Sequence, residues 1–154
     1  MRIPFSREQF AGVFALYNES VWPLQWLLIA LAVIVIMLAV HRTAGTARAA
    51  TVALAAIWLW CGVVYHLEFF SRINPAAKLF GTAFVIEAAL LLWMVPKPSW
   101  RVLAIPLVWA LVGTTAAFQL GMLEDLGMAA SAIIVLYVML SQHHAHRLAA
   151  TPGS

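Results

Sequence analysis

The stretch Val21–Val40 reads VWPLQWLLIALAVIVIMLAV, twenty residues without a charge. A helix rises 1.5 Å per residue, so about 20 apolar residues cross roughly 30 Å of hydrocarbon. In water a helix apolar on every side needs a protein core all around it. The chain as a whole is also apolar: 64% of its 154 residues are hydrophobic and 10% are charged, against about 45–50% and about 25% in a soluble domain. The stretch therefore predicts a transmembrane helix over about 21–40, with Ser20 as its N-cap, Trp22 and Trp26 at one interface and His41-Arg42 at the other.

Further apolar runs flank it. The second spans about 49–66. The third, about 75–95, opens on Asn74 as an N-cap and Pro75 at the first helical position, and Pro96-Lys97-Pro98-Ser99 then forms a tight turn. The fourth, about 100–119, ends at Gly121; Pro106 lies early in it, where a kink is expected and a break is not. The fifth, about 123–142, carries Glu124 and Asp125 in its first turn, where acids complement the helix dipole. Small residues in Gly113-Thr114-Thr115-Ala116-Ala117 and in Gly127, Ala130 and Ser131 predict that the last two spans pair as an antiparallel hairpin.

Before the first span, Ser6-Arg7-Glu8-Gln9 reads as a capping box, and Phe10, Val13, Phe14 and Tyr17 recur at i, i+3, i+4 and i+7. This predicts an amphipathic helix over about 6–18, lying in the membrane interface. The expected fold is all-α: one membrane domain over 1–154, with about five transmembrane helices and this short interfacial helix.

Orientation follows from the loop charges. With the N-terminus outside, the cytoplasmic segments hold Arg42, Arg48, Lys97, Arg101 and Arg147 and no acid, whereas Glu8, Glu19, Glu68, Glu124 and Asp125 all fall outside with Arg2, Arg7, Arg72 and Lys78. The basic residues alone nearly balance, and the segregated acids favour an outer N-terminus and a cytoplasmic C-terminus. Arg2, Arg7 and Glu8 interrupt the N-terminus before any apolar core, so no cleavable signal is expected. Nine basic residues scattered among short loops make no nucleic-acid patch. The single cysteine, Cys61, lies in an apolar run and reads as a small buried hydrophobe. There is no nucleotide-binding Gly-rich loop, nucleophile elbow, HExxH or CxxC.

Several stretches carry a resemblance: Pro4-Phe5-Ser6-Arg7-Glu8-Gln9-Phe10, Tyr17-Asn18-Glu19, Val21-Trp22-Pro23, Tyr65-His66, Ile73-Asn74-Pro75-Ala76-Ala77, Phe80-Gly81, Ile105-Pro106-Leu107 and Glu124-Asp125-Leu126-Gly127. By these the chain resembles a family of uncharacterised bacterial polytopic membrane proteins, classed as a domain of unknown function. The resemblance implies the bacterial inner (plasma) membrane and no particular activity. It also implies that this chain is shortened, since family members have extra spans where Pro96–Trp100 closes the gap directly. Losing an even number of spans preserves the orientation of the later helices but removes part of any cavity.

Glu87, about 12 residues into the third span, is the sharpest candidate for chemistry, because an ionised carboxylate costs at least a few kcal/mol at mid-membrane. It reads either as an ion or proton relay or as a neutral acid hydrogen-bonded to Thr114 or Ser131. The resemblance implies an amide more often than an acid at this point, which weighs toward the structural reading.

The outer face gathers Asn18, Glu19, His66, Glu68, Asn74, Gln119, Glu124 and Asp125. His66, Glu68 and Glu19 are the candidate ligands for a divalent metal ion, although no cofactor is required by the sequence. His66 and Glu68, two apart, diverge on a continuing helix, and interfacial groups that cap helix ends and touch lipid headgroups are the better account of this set. His143, His144 and His146, with His41 on the same side, form a second local histidine set that also reads as solvated. Tryptophans near the span ends form interfacial belts. The function expected is that of a non-enzymatic membrane subunit or scaffold, or a small ion or solute carrier, with the lipid bilayer, a second copy or a membrane complex as partner. The alternative is a membrane-embedded metal-binding or redox enzyme module using His66 and the outer carboxylates.

Overall fold

In a computed structural model the chain is all-α. The structure describes residues 4–41, 43–95 and 104–120, with isolated positions from 130 to 140. The chain falls into two compact units, Met1–Pro98 and Ser99–Ser154. Among the described residues there are five α-helices: α1 (Arg7–Val21), α2 (Leu24–His41), α3 (Ala44–Trp60), α4 (Ala77–Met94) and α5 (Ala104–Leu120). α3 continues as a π-helical segment, Cys61–Phe69, and closes in a 3-10 turn, Phe70–Arg72.

α1 starts as its sequence predicts. The Ser6 hydroxyl accepts from the Gln9 amide at 3.2 Å and the Gln9 side-chain oxygen accepts from the Ser6 amide at 2.8 Å, so two orphan donors are satisfied reciprocally. The helix then runs three residues beyond the expected end at 18, to Val21. Ser20 is therefore inside α1 and caps nothing. The break falls at Trp22-Pro23 instead, because proline has no N–H to donate and its ring pushes the preceding residue to extended backbone, with Trp22 at φ −61° and ψ 134°. The chain turns by 94° across this break before the helix resumes at Leu24.

α2 is apolar along its length and packs along α3. Trp26, Leu27, Ile36 and Met37 on it are all more than half exposed, an outward surface suited to lipid tails rather than water.

α3 is longer than the apolar run predicts. Thr43 caps it, its hydroxyl accepting from the Thr46 amide at 3.1 Å while the Thr46 hydroxyl accepts from the Thr43 amide at 2.9 Å. With its π and 3-10 continuation the helix covers Ala44–Arg72, 29 residues, or roughly 40 Å at α-helical rise. The polar start around Thr46 and Arg48 reads as loop by hydropathy, yet a helix extends past the hydrocarbon wherever its cap and its alanines support it.

The turn into α4 is built on Asn74. Its backbone amide donates to the Phe70 carbonyl at 3.1 Å, its carbonyl accepts from Ala77 at 2.9 Å, and its side-chain oxygen accepts from the Ala76 amide at 3.1 Å. Asn74 thus stabilises the turn two residues ahead of itself, and the regular helix begins at Ala77 rather than at Pro75. α4 packs along α3 and its π continuation, burying Ala77, Gly81, Phe84, Glu87, Ala88 and Leu91 at helical spacing.

Two helices, Ala44–Arg72 and Ala77–Met94, are long and apolar enough to cross a membrane, and a third joins them if the bent α1–α2 pair is one span. α5 carries Pro106 in its first turn, where the missing N–H costs no intrahelical bond, and the helix continues to Leu120. The turn over 96–99, Gly121, all but isolated positions of the fifth span over 123–142, and its pairing with the fourth lie outside the described residues.

Candidate functional site

Two glycines bring the π continuation of α3 close against α4. A β-carbon on Gly62 would lie 2.9 Å from both the Gly81 carbonyl oxygen and the Phe84 β-carbon, and one on Gly81 would lie 2.7 Å from Leu67 and 2.9 Å from the Gly62 carbonyl oxygen. The two backbones meet directly, as small residues permit between helices in lipid.

Around this contact sit the largest fully buried side chains, His66 and Glu87. His66 lies four residues past Gly62 in the π segment and is 2% exposed. Its ring meets Phe84 edge-on at 4.6 Å between centroids, with Tyr65 at 5.0 Å, Phe70 at 5.9 Å and Phe80 at 6.2 Å. Phe84 also contacts Trp58, at 4.3 Å. One turn further along α4, on the face that carries Phe84, Glu87 is 0% exposed, and neither carboxyl oxygen has a hydrogen-bond partner among the described residues. Of the partners expected for it, Thr114 donates its hydroxyl to the Ala110 carbonyl within its own helix at 2.7 Å, and Ser131 lies outside the described residues. Burying a polar group without a hydrogen bond costs roughly 2–7 kcal/mol, and an ionised one more. A carboxyl so placed carries a proton or a counter-cation.

α1 covers the end of this interface. Phe10 meets Phe70 at 5.7 Å, Phe14 meets Tyr65 at 5.2 Å, and Tyr17 meets both Tyr65 and Phe69 at 5.4 and 5.5 Å. The Trp60 indole donates to the Tyr17 hydroxyl at 2.8 Å. Burial pushes the Tyr17 phenol up, against the opposing pull of the indole. The apolar stripe read from the sequence is therefore real, but much of it faces protein.

The three residues offered as metal ligands are not brought together. His66 is in the core, whereas Glu68 has 65% of its side chain exposed and pairs with Arg72 at 2.6 Å. Arg72 also donates to the Glu68 carbonyl at 2.9 Å and lies over the Phe69 ring. Such an exposed pair contributes at most about 1 kcal/mol. Glu19 is exposed on α1. Among the described residues no group of three or more His, Cys, Asp or Glu side chains is placed to hold a metal ion. Glu124, Asp125, His143, His144 and His146, and the side chain of His41, lie outside the described residues.

Sequence reasoning missed the π segment and the glycine contact. Gly62 and Gly81, isolated glycines within apolar runs, were the available signal. The π segment had none beyond its position at a candidate site, where such segments recur.

A family model matches residues 7–97 and 88–150, nearly the whole chain. The chain belongs to the DUF6064 family. DUF6064 is a family of unknown function, so membership assigns no activity to His66 or Glu87. No curated protein and no solved structure matches the chain. The capping box, the π segment, the Asn74 turn and Glu87 all fall within or directly beside the first stretch matched by DUF6064.

Proposed function

We propose that this DUF6064 protein is a non-enzymatic integral membrane subunit that handles a small cation, with Glu87 as the group that binds and releases it. The observation that carries this reading is the complete burial of Glu87 with both carboxyl oxygens unpartnered among the described residues. A scaffold alone has no use for that cost, and intramembrane acids mark ion and proton pathways. The reading is of this chain rather than of the family, because the resemblance favours an amide at this position.

The proposal places all of 1–154 in one membrane domain of about five spans in a bacterial inner membrane, as a homo-oligomer or within a larger complex. Five short helices enclose little more than a narrow path, so a second copy or partner completes the walls. The overlap of the two matched stretches at 88–97 supports a chain shortened at that point. The metal or redox alternative gains no observation of its own, since Arg72 occupies Glu68 and aromatic rings surround His66.

In proteoliposomes, Glu87→Gln is expected to reduce cation flux to that of protein-free vesicles while melting is unchanged; wild-type flux in this variant removes Glu87 from the function. For orientation, Thr46→Cys and Ser71→Cys, near opposite ends of the 29-residue helix, are expected to label from opposite sides. Ser71→Cys labelled only from the cytoplasm overturns the outward N-terminus.

A further inference from the structure

His66 and Glu87 are the two titratable side chains sealed inside the α3–α4 interface, and they lie at different depths in it. His66 is six residues from the end of its helix at Arg72, and Glu87 is ten residues beyond the start of α4 at Ala77. At 1.5 Å per residue these are about 9 and about 15 Å from the shared turn. Phe84 bridges the difference: it touches His66 at 4.6 Å and stands one turn before Glu87 on the same helix.

We propose that His66 and Glu87 are two stations of one proton path, with His66 nearer the Asn74 turn, Glu87 deeper, and Phe84 as the barrier between them. This rests on the proposed role of Glu87 and names its cation as the proton. An imidazole and a carboxyl both exchange protons readily, whereas no group of three metal-binding side chains gathers among the described residues.

The transfer balances. A hydronium proton turns the His66 imidazole into imidazolium; once the Glu87 acid has released its own proton to the opposite side, the imidazolium protonates the resulting carboxylate, which restores the imidazole and the neutral acid, so that one proton enters and one leaves. A swing of the Phe84 ring or a bridging water completes the step. Other titratable groups on the packed elements are half-buried Cys61, Tyr65 beside His66, and Tyr17 of α1; Arg7, Glu8, Glu19, Arg48, Glu68, Arg72 and Lys78 are exposed.

The test tracks the Glu87 carboxyl stretch by infrared spectroscopy after a pH jump on the full chain in lipid vesicles, with Glu87→Gln assigning the band. His66→Gln is expected to slow the change at least about tenfold while leaving its final amplitude intact. His66→Phe, which keeps a ring among the aromatics, serves if His66→Gln does not fold. An unchanged rate overturns the two-station path and leaves Glu87 in place, and a changed amplitude overturns it by showing that His66 alters the equilibrium rather than the route. A wild-type band that never responds to pH defeats the Glu87 reading itself. Flux that is equal in sodium and choline media supports the proton, and dependence on sodium overturns it.

Discussion

Replacing Gly62 with alanine is expected to destabilise the α3–α4 hairpin by about 1–3 kcal/mol, the usual cost of forcing extra volume into a packed interface. The added β-carbon would meet the Gly81 carbonyl oxygen and the Phe84 β-carbon, each at 2.9 Å. Neither is the far end of a flexible side chain, so relief requires the two helices to separate. Separation would loosen Phe84 from both His66 and Trp58 and open the site together with the fold. Gly81→Ala meets Leu67, whose side chain can turn away, but also the Gly62 carbonyl at 2.9 Å, so its cost should be similar or smaller. Gly12→Ala is the control, because nothing lies within 4 Å of its added carbon and alanine favours a helix interior by roughly 0.5–1 kcal/mol. The three variants can be ranked by denaturant titration in lipid–detergent micelles. Gly62→Ala melting like the wild type, or below Gly12→Ala by no measurable margin, contradicts the close backbone contact.

Glu87→Leu is expected to have opposite effects on stability and function. Removing a buried carboxyl that lacks a hydrogen-bond partner relieves its desolvation, and a leucine of comparable size fills the space, so stability should rise by about 1–3 kcal/mol. Cation flux should fall to background, because nothing at that depth can then take up charge. A residue retained for its part in the fold behaves oppositely: deleting a satisfied buried group lowers stability. The same denaturant titration, run beside the flux assay, separates these cases. Loss of stability in Glu87→Leu means that the carboxyl has a partner, and the relay reading then loses the observation that carries it.

Much of the fold was already written in local sequence. Ser6 and Gln9 define the start of α1, and the long apolar runs define α2, α3 and α4, because a cap needs only residues three apart and a span needs only about 20 consecutive apolar ones. The candidate carboxyl, Glu87, was also legible, since a lone charge in an apolar run is conspicuous whatever surrounds it. Boundaries were less so. Ser20 looked like a cap because the apolar run begins beside it, but the backbone restriction at Trp22-Pro23 decides where the helix breaks.

The tertiary structure decided what these elements do to one another. Nothing in the order of residues states that Gly62 opposes Gly81, that the aromatic stripe of α1 lies on Tyr65, Phe69 and Phe70, or that His66 turns inward while Glu68 turns out to Arg72. Hydropathy grades each residue singly, whereas the facing of His66, Phe84 and Glu87 depends on the approach of two helices joined through the Asn74 turn. The sequence determined that this chain is helical and suited to lipid; the packing of α4 on α3 and its continuation decided which of its polar groups are sealed inside, because burial depends on which face of each helix meets the other, and Glu87 is on the buried face of α4 with no hydrogen-bond partner among the described residues.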